Sequence, residues 1–92
     1  MIYIITYNIS TSIRDYTLFY DSIKSCCASY YHALESTWFI ACPKQHDVKR
    51  LTDFLRMRLY PGDTLFIAEL TNNTIVDGWI TKDFWNWYRD NV

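Results

Sequence analysis

The sequence predicts an α+β sandwich in which one four-stranded antiparallel sheet packs against two helices. The first observation behind this prediction is a set of short segments rich in β-branched and aromatic residues, which have the length of strands. The second is a pair of segments that repeat apolar residues at helical spacing and alternate with those strands. The chain has 92 residues, of which 50% are hydrophobic. A single domain spanning 1–92 is therefore expected.

The first strand and the first helix are predicted between residues 2 and 28. Residues 2–7, IYIITY, are β-branched and aromatic, which is typical of a buried central strand. Ser12 and Asp15 have the spacing of a capping box, so a helix is predicted to begin close to Ile13 and to end near Ala28. Its apolar face follows the helical period and consists of Tyr16, Phe19, Tyr20, Ile23 and Cys27.

A strand pair and a second helix are predicted in the middle of the chain. Residues 30–34 and 37–42 are predicted strands, and residues 35–36 are the turn between them. Asp47 is a suitable N-cap for the helix, and residues 61–63, PGD, end it. The apolar stripe of this helix is Val48, Leu51, Leu55 and Leu59.

The last third of the chain predicts another strand and a C-terminal extension. Residues 64–70 are apolar and strand-like, residues 75–80 predict an edge strand, and Thr81 is placed to cap a short helix over 82–91. The complete order, β-α-β-β-α-β with two helices on one face, is that of the ferredoxin-like split β-α-β plan. A fold of this kind is used for many functions, so it does not identify one.

Composition limits the kinds of partner. Lys and Arg number 9 against 10 Asp and Glu, so no basic surface is evident and extended duplex DNA is not an expected partner. Aromatic residues form 18% of the chain, more than one small core requires, which favours a homodimer.

Cysteine usage and hydropathy indicate the compartment. The 3 cysteines are odd in number and form no C-x-x-C motif, which favours reduced thiols in a cytoplasmic protein. No apolar run has the length of a membrane span, and the N-terminal residues lack the basic region of a signal peptide. Association with a membrane is therefore not expected. The sequence has no phosphate-binding P-loop, H-E-x-x-H motif or dinucleotide fingerprint, so no cofactor is expected either.

The loop from Asn8 to Arg14 is the first candidate site. It leads from the end of a strand to the start of a helix, where free backbone N–H groups and the helix dipole favour an anion. Further donors are available from Ser10, Thr11, Ser12 and Arg14. The alternative interpretation is a solvated loop that only caps the helix.

The second candidate site surrounds the turn before the third strand. Ser36 and Thr37 carry hydroxyls that can bond either the backbone or a ligand. Trp38 can serve the core, a dimer interface or the stacking of a base. His32 can be structural or ligand-binding. The rings that could stack on a base are Tyr7, Tyr31 and Trp38.

Several of these residues together resemble a known family. They are Tyr7-Asn8, Arg14-Asp15-Tyr16, Tyr20, Ile23-Lys24, His32, Leu34, Ser36-Thr37-Trp38, Gly62-Asp63 and Gly78-Trp79. The chain resembles the SinR-like small ferredoxin-fold proteins, relatives of the CRISPR adaptation nucleases and the VapD toxins. The resemblance implies a homodimer and, in the nuclease branch, a metal-binding aspartate after the first strand. Asn8 stands there instead, and because an amide brings no charge to Mg²⁺, neither a metal site nor catalytic residues are expected.

Three hypotheses for function follow. The favoured one is a non-catalytic homodimer that binds or sequesters a nucleotide or short oligonucleotide, as in phage counter-defence. Its phosphates would lie against the Asn8–Arg14 loop. The first alternative is a ribonuclease or endonuclease of the CRISPR-adaptation or VapD-like type. The second alternative is a protein-interaction or assembly subunit without a small ligand.

Overall fold

The computed structural model describes residues 1–10, 15–43 and 47–92. The described elements follow the order βαββαβα, which confirms the predicted α+β class. They are β1 (Ile2–Asn8), α1 (Thr17–Ser25), β2 (Ser29–Leu34), β3 (Thr37–Ala41), α2 (Val48–Leu55), β4 (Thr64–Leu70) and α3 (Lys82–Asn91). A 3₁₀ turn, Arg56–Arg58, directly follows α2. No helix within these ranges has the length and apolarity needed to cross a membrane.

The sheet has the strand order β2-β3-β1-β4, and every neighbouring pair is antiparallel. The predicted four-stranded antiparallel sheet is therefore confirmed. β1 is hydrogen-bonded on both sides, with Ile5 opposite Trp38 of β3 and Ile67 of β4. A strand in this central position suits the β-branched run of residues 2–7, because its backbone groups are satisfied and its side chains pack on both faces.

Side-chain alternation along the strands builds a hydrophobic layer on each face of the sheet. On one face, Tyr3 and Ile5 of β1 pack with Phe19 of α1 and Leu51 of α2. This arrangement confirms that two helices cover one face. On the other face, Ile2 of β1 packs with residues of α3. The sheet therefore lies between a layer formed by α1 and α2 and a layer formed by α3.

The first helix is shorter than predicted at both ends. α1 begins at Thr17 instead of near Ile13, and the Asp15 side chain accepts a hydrogen bond from the Thr17 backbone N–H at 2.8 Å. Hydrogen bonding from the Thr17 side chain, together with this backbone bond, holds the pKa of the Asp15 carboxyl below its usual value. The helix ends at Ser25 instead of Ala28, because the Ala28 N–H already donates to Ala41 of β3 at 3.0 Å. Ser12 and Ile13 lie outside the described residues.

The predicted edge strand over 75–80 is wrong, whereas the predicted C-terminal helix is confirmed. Residues 75–80 form no strand, and the side chains of Ile75 and Trp79 are fully exposed. Within this segment the Asp77 side chain accepts from the Gly78 N–H at 2.8 Å, a local bond that competes with strand pairing. α3 begins after Thr81, whose hydroxyl accepts from the Phe84 N–H at 3.3 Å as an N-cap.

Candidate functional site

A cavity of about 490 Å³ lies at the end of β1, beside the β2–β3 turn and the start of α1. We call it the tyrosine pocket. It is lined by Tyr7, Asn8, Ile9, Tyr16, Tyr20, Glu35 and Ser36. Its volume falls within the range of about 300–1,000 Å³ that is typical of small-ligand sites.

The pairing of β1 with β3 creates this pocket. Thr6 lies opposite Thr37 in the antiparallel register, so the next residue of β1, Tyr7, reaches the turn before β3. There the Tyr7 backbone N–H donates to the Ser36 carbonyl at 3.1 Å. Asn8 is exposed at the end of β1 and lines the same cavity. Three predicted ligand-binding residues, Tyr7, Asn8 and Ser36, are therefore brought together.

A network of hydrogen bonds holds one wall of the tyrosine pocket in place. The Trp38 indole N–H donates to the Tyr7 hydroxyl at 3.3 Å, and that hydroxyl donates to the Glu35 carbonyl at 3.4 Å. The same carbonyl lies 3.0 Å from His32 Nε2. Burial, together with a hydrogen bond to Tyr20, raises the pKa of Tyr7 well above its usual value. Tyr7 is therefore a neutral phenol at physiological pH and is not a general base.

Trp38 lies in the core, which was one of the three roles that the sequence left open. Only 2% of its surface is exposed. The His32 ring stacks on the Trp38 ring with centroids 4.3 Å apart and an interplanar angle of 18°. The rings of Tyr20 and Tyr30 lie 5.1 and 5.5 Å away. Trp38 is thus surrounded by the protein's own rings, and His32 is placed to cover it.

Tyr16 and Tyr20 provide the aromatic wall of the pocket. Their rings are stacked, with centroids 5.6 Å apart and an interplanar angle of 20°, and both residues are half-buried. Both were assigned from the sequence to the apolar face of the helix. Their i, i+4 spacing was visible, but a periodic pattern does not distinguish a core position from the rim of a pocket.

Two predicted site residues lie on the opposite face of the sheet. The Tyr31 ring packs against Phe84 of α3 at 5.5 Å, and its hydroxyl is 3.2 Å from the Thr81 hydroxyl. Thr37 pairs with Thr6 through their hydroxyls at 3.1 Å. Because side chains alternate along a strand, neither Tyr31 nor Thr37 reaches the tyrosine pocket.

Ser10 is hydrogen-bonded to the carboxylate of Asp63. Both its backbone N–H and its hydroxyl donate to Asp63 Oδ1, at 2.9 and 3.0 Å, and the Tyr60 N–H donates to Asp63 Oδ2 at 2.7 Å. Gly62, with φ of 93°, makes the turn that places Asp63. The donors of Ser10 are therefore used within the protein instead of facing an anion. The other predicted donors of this loop, Thr11, Ser12 and Arg14, lie outside the described residues.

The described thiols and acidic side chains can be compared with the requirements of a metal site and of a nucleophile. Within the described ranges, no group of three or more His, Cys, Asp or Glu side chains could hold a metal ion. Cys26, Cys27 and Cys42 are free thiols. Burial, with smaller contributions from the two neighbouring cysteines, raises the pKa of Cys27 to about 11. Little thiolate is therefore present at neutral pH, and a nucleophilic role is disfavoured.

The chemistry of the tyrosine pocket follows from its lining. Tyrosine rings offer flat faces, Asn8 and Ser36 offer both donors and acceptors, and Glu35 brings a carboxylate. No Lys or Arg is among the described lining residues. This set can stack on a planar heterocycle and bond its polar edge.

Comparison of the chain with protein-family models, with curated proteins and with solved structures finds no match.

Proposed function

We propose that the chain is a non-catalytic binding protein for a nucleotide, and that the base occupies the tyrosine pocket. The observation that carries this proposal is the convergence of a stacked tyrosine pair, Tyr16 and Tyr20, with the polar side chains of Asn8 and Ser36 around one cavity. Bases are commonly bound by stacking on aromatic rings together with hydrogen bonds to their edges.

The pocket supports recognition of the base more directly than recognition of the phosphates. Glu35 would repel a phosphate but can accept from an amino or ring N–H group of a base. The Asn8 amide can both donate to and accept from a base edge. Arg14 remains the phosphate-binding residue that the sequence predicts, since guanidinium groups suit phosphate oxygens.

We also propose that the fold is ferredoxin-like and that the chain is related to the SinR-like proteins. The placement of β3 between β1 and β2 supports this assignment, because it gives a split β-α-β unit. The helix α3 on the opposite face is an addition to the βαββαβ order. The absence of a carboxylate at Asn8 supports binding over metal-dependent cleavage.

The replacement of Tyr16 by alanine tests the base site. We expect nucleotide affinity to fall by about five- to a hundredfold, because stacking contributes about 1–3 kcal/mol per base. Isothermal titration with ATP, GTP, CTP and UTP measures the effect. Leu18→Ala is the matched control, since Leu18 is exposed at the start of α1 and does not line the pocket. Equal affinities of the Tyr16→Ala variant and the unmodified chain would contradict the proposal.

A comparison of nucleosides with nucleotides distinguishes binding of the base from binding of the phosphates. Ser36→Ala should weaken a nucleoside and its triphosphate by a similar factor, because Ser36 lines the base site. Arg14→Ala should weaken the triphosphate by about tenfold or more and leave the nucleoside unaffected. If inorganic triphosphate binds as tightly as the nucleotides, the tyrosine pocket does not recognise a base.

We propose that the chain forms a homodimer through the segment 75–80. The full exposure of Ile75 and Trp79 within one short segment supports this, because large aromatic and apolar side chains are typical of an interface core. Light scattering after gel filtration should give twice the chain mass of 11.1 kDa at micromolar concentration. Trp79→Ser should yield a monomer, whereas Met57→Ser, at an exposed position after α2, should not. A monomeric mass for the unmodified chain would refute the dimer.

A further inference from the structure

A second cavity, of about 310 Å³, lies on the other face of the sheet, between the sheet, α3 and the segment 75–80. We call it the α3 cavity. Its walls are largely apolar, with Ile4 and Leu70 contributed by the sheet and Phe84 and Trp85 by α3. The tyrosine pocket opens on the opposite side of the same sheet, so the two cavities are separate sites.

One residue of the cavity lining, Tyr88, has a buried hydroxyl without a hydrogen-bond partner. Tyr88 lines the cavity and is 8% exposed, and its hydroxyl has no hydrogen-bond partner in the structure. Burial raises the pKa of this hydroxyl, so it is a neutral group able to donate and to accept. Buried polar groups are nearly always hydrogen-bonded. The hydroxyl of Tyr31, on the same face, does have a partner, since it lies 3.2 Å from the hydroxyl of Thr81.

The size and charge of the α3 cavity narrow the class of ligand. A dry apolar cavity of about 150 Å³ is enough to bind benzene, so this one has room for a molecule with one or two rings. The walls include the rings of Phe84 and Trp85, which favour an aromatic ligand. Among the described lining residues, the ionisable side chains are those of Asp77 and Tyr88. Neither brings a positive charge, and Asp77 would repel an anion, so an anionic ligand is disfavoured.

We propose that the α3 cavity binds a small neutral aromatic molecule that carries one hydrogen-bonding group, of the size and chemistry of phenol or indole. The ring of the ligand packs among Phe84, Trp85 and Ile4. Its hydroxyl or N–H group forms a hydrogen bond with the Tyr88 hydroxyl. This proposal does not rest on the proposed nucleotide site, because the two cavities have no lining residue in common.

The Tyr88→Phe variant tests this proposal, because it removes the hydroxyl and keeps the ring. Titration calorimetry of the full chain with phenol, indole, toluene and benzoate should show binding of the first three and none of benzoate. Tyr88→Phe should weaken phenol and indole by about three- to tenfold, the effect of one hydrogen bond. Toluene, which has no polar group, should bind both proteins equally and so shows that the variant is folded. Tyr31→Phe, which removes a hydroxyl outside the cavity, should leave all affinities unchanged.

A second variant tests whether the aromatic probes bind in the α3 cavity. Val76 lines the cavity and is partly exposed, so Val76→Trp can close the cavity without disturbing the core. It should abolish the binding of phenol and toluene alike. The proposal is overturned if no neutral probe saturates the chain at millimolar concentration. It is also overturned if phenol binds Tyr88→Phe as tightly as the unmodified chain, or if Val76→Trp binds both probes normally.

Discussion

The replacement of Trp38 by alanine is expected to lower the free energy of unfolding by about 3–5 kcal/mol. The indole is 2% exposed, and its N–H donates to the Tyr7 hydroxyl. Its loss would leave a cavity among the rings of Tyr20, Tyr30 and His32, and would remove a hydrogen bond from Tyr7. Urea denaturation followed by circular dichroism gives the change directly.

Trp79→Ala is the matched control for this experiment, because the same side chain is removed from a fully exposed position. We expect its effect to stay within about 0.5 kcal/mol, provided that the protein is dilute enough for dimer formation not to add stability. Trp38→Phe should fall between the two, since it keeps a ring and loses the indole N–H. A loss below about 1 kcal/mol for Trp38→Ala would mean that Trp38 is not a core residue.

The second large effect is expected at Phe84, which joins α3 to the sheet. Phe84 is 1% exposed, and its ring centroid lies 4.8 Å from that of Phe39 and 5.5 Å from that of Tyr31. Phe84→Ala should therefore lower the free energy of unfolding by about 3–5 kcal/mol. This is a large part of the total stability of about 5–15 kcal/mol that is typical of a small domain.

Phe66→Ala is the control for Phe84→Ala, because Phe66 is largely exposed on β4. Its cost should be about 1 kcal/mol or less, the scale of a strand-propensity change. If Phe84→Ala and Phe66→Ala cost the same, α3 would contribute little to the stability of the domain. In that case the α3 cavity would also lack a fixed wall.

The strands and α3 could be predicted from the sequence because each is a strong apolar pattern with a turn or cap at its end. The bounds of the four described strands differ from the predicted ones by at most one residue at either end. The start of α1 could not be predicted in this way. The capping-box pattern places Asp15 inside a helix that begins near Ile13, whereas its side chain accepts from the Thr17 N–H just before a helix that begins at Thr17. The error at 75–80 has another cause. β-Branched residues such as Ile75 and Val76 favour a strand, but a strand also needs a neighbour to pair with, and local sequence does not supply one.

The candidate site was predictable in part. Tyr7, Asn8 and Ser36 meet because a strand end lies beside a turn, which the predicted order of elements already implied. The separation of Tyr31 from His32 was also implied, since neighbouring residues of a strand point to opposite faces. The use of Ser10 by Asp63 was not predictable, because the two residues are far apart in the chain.

The position of β1 and β3 at the centre of the sheet has a consequence for cooperativity. Alternate side chains of these two strands belong to the two hydrophobic clusters on opposite faces. If either helical layer detaches, the same two strands lose half of their packing, so the layers are expected to unfold together in one transition. For the same reason, a molecule bound on one face of the sheet would stabilise the strands that line the cavity on the other face. Binding in one cavity would then affect binding in the other through the shared sheet, without a domain movement.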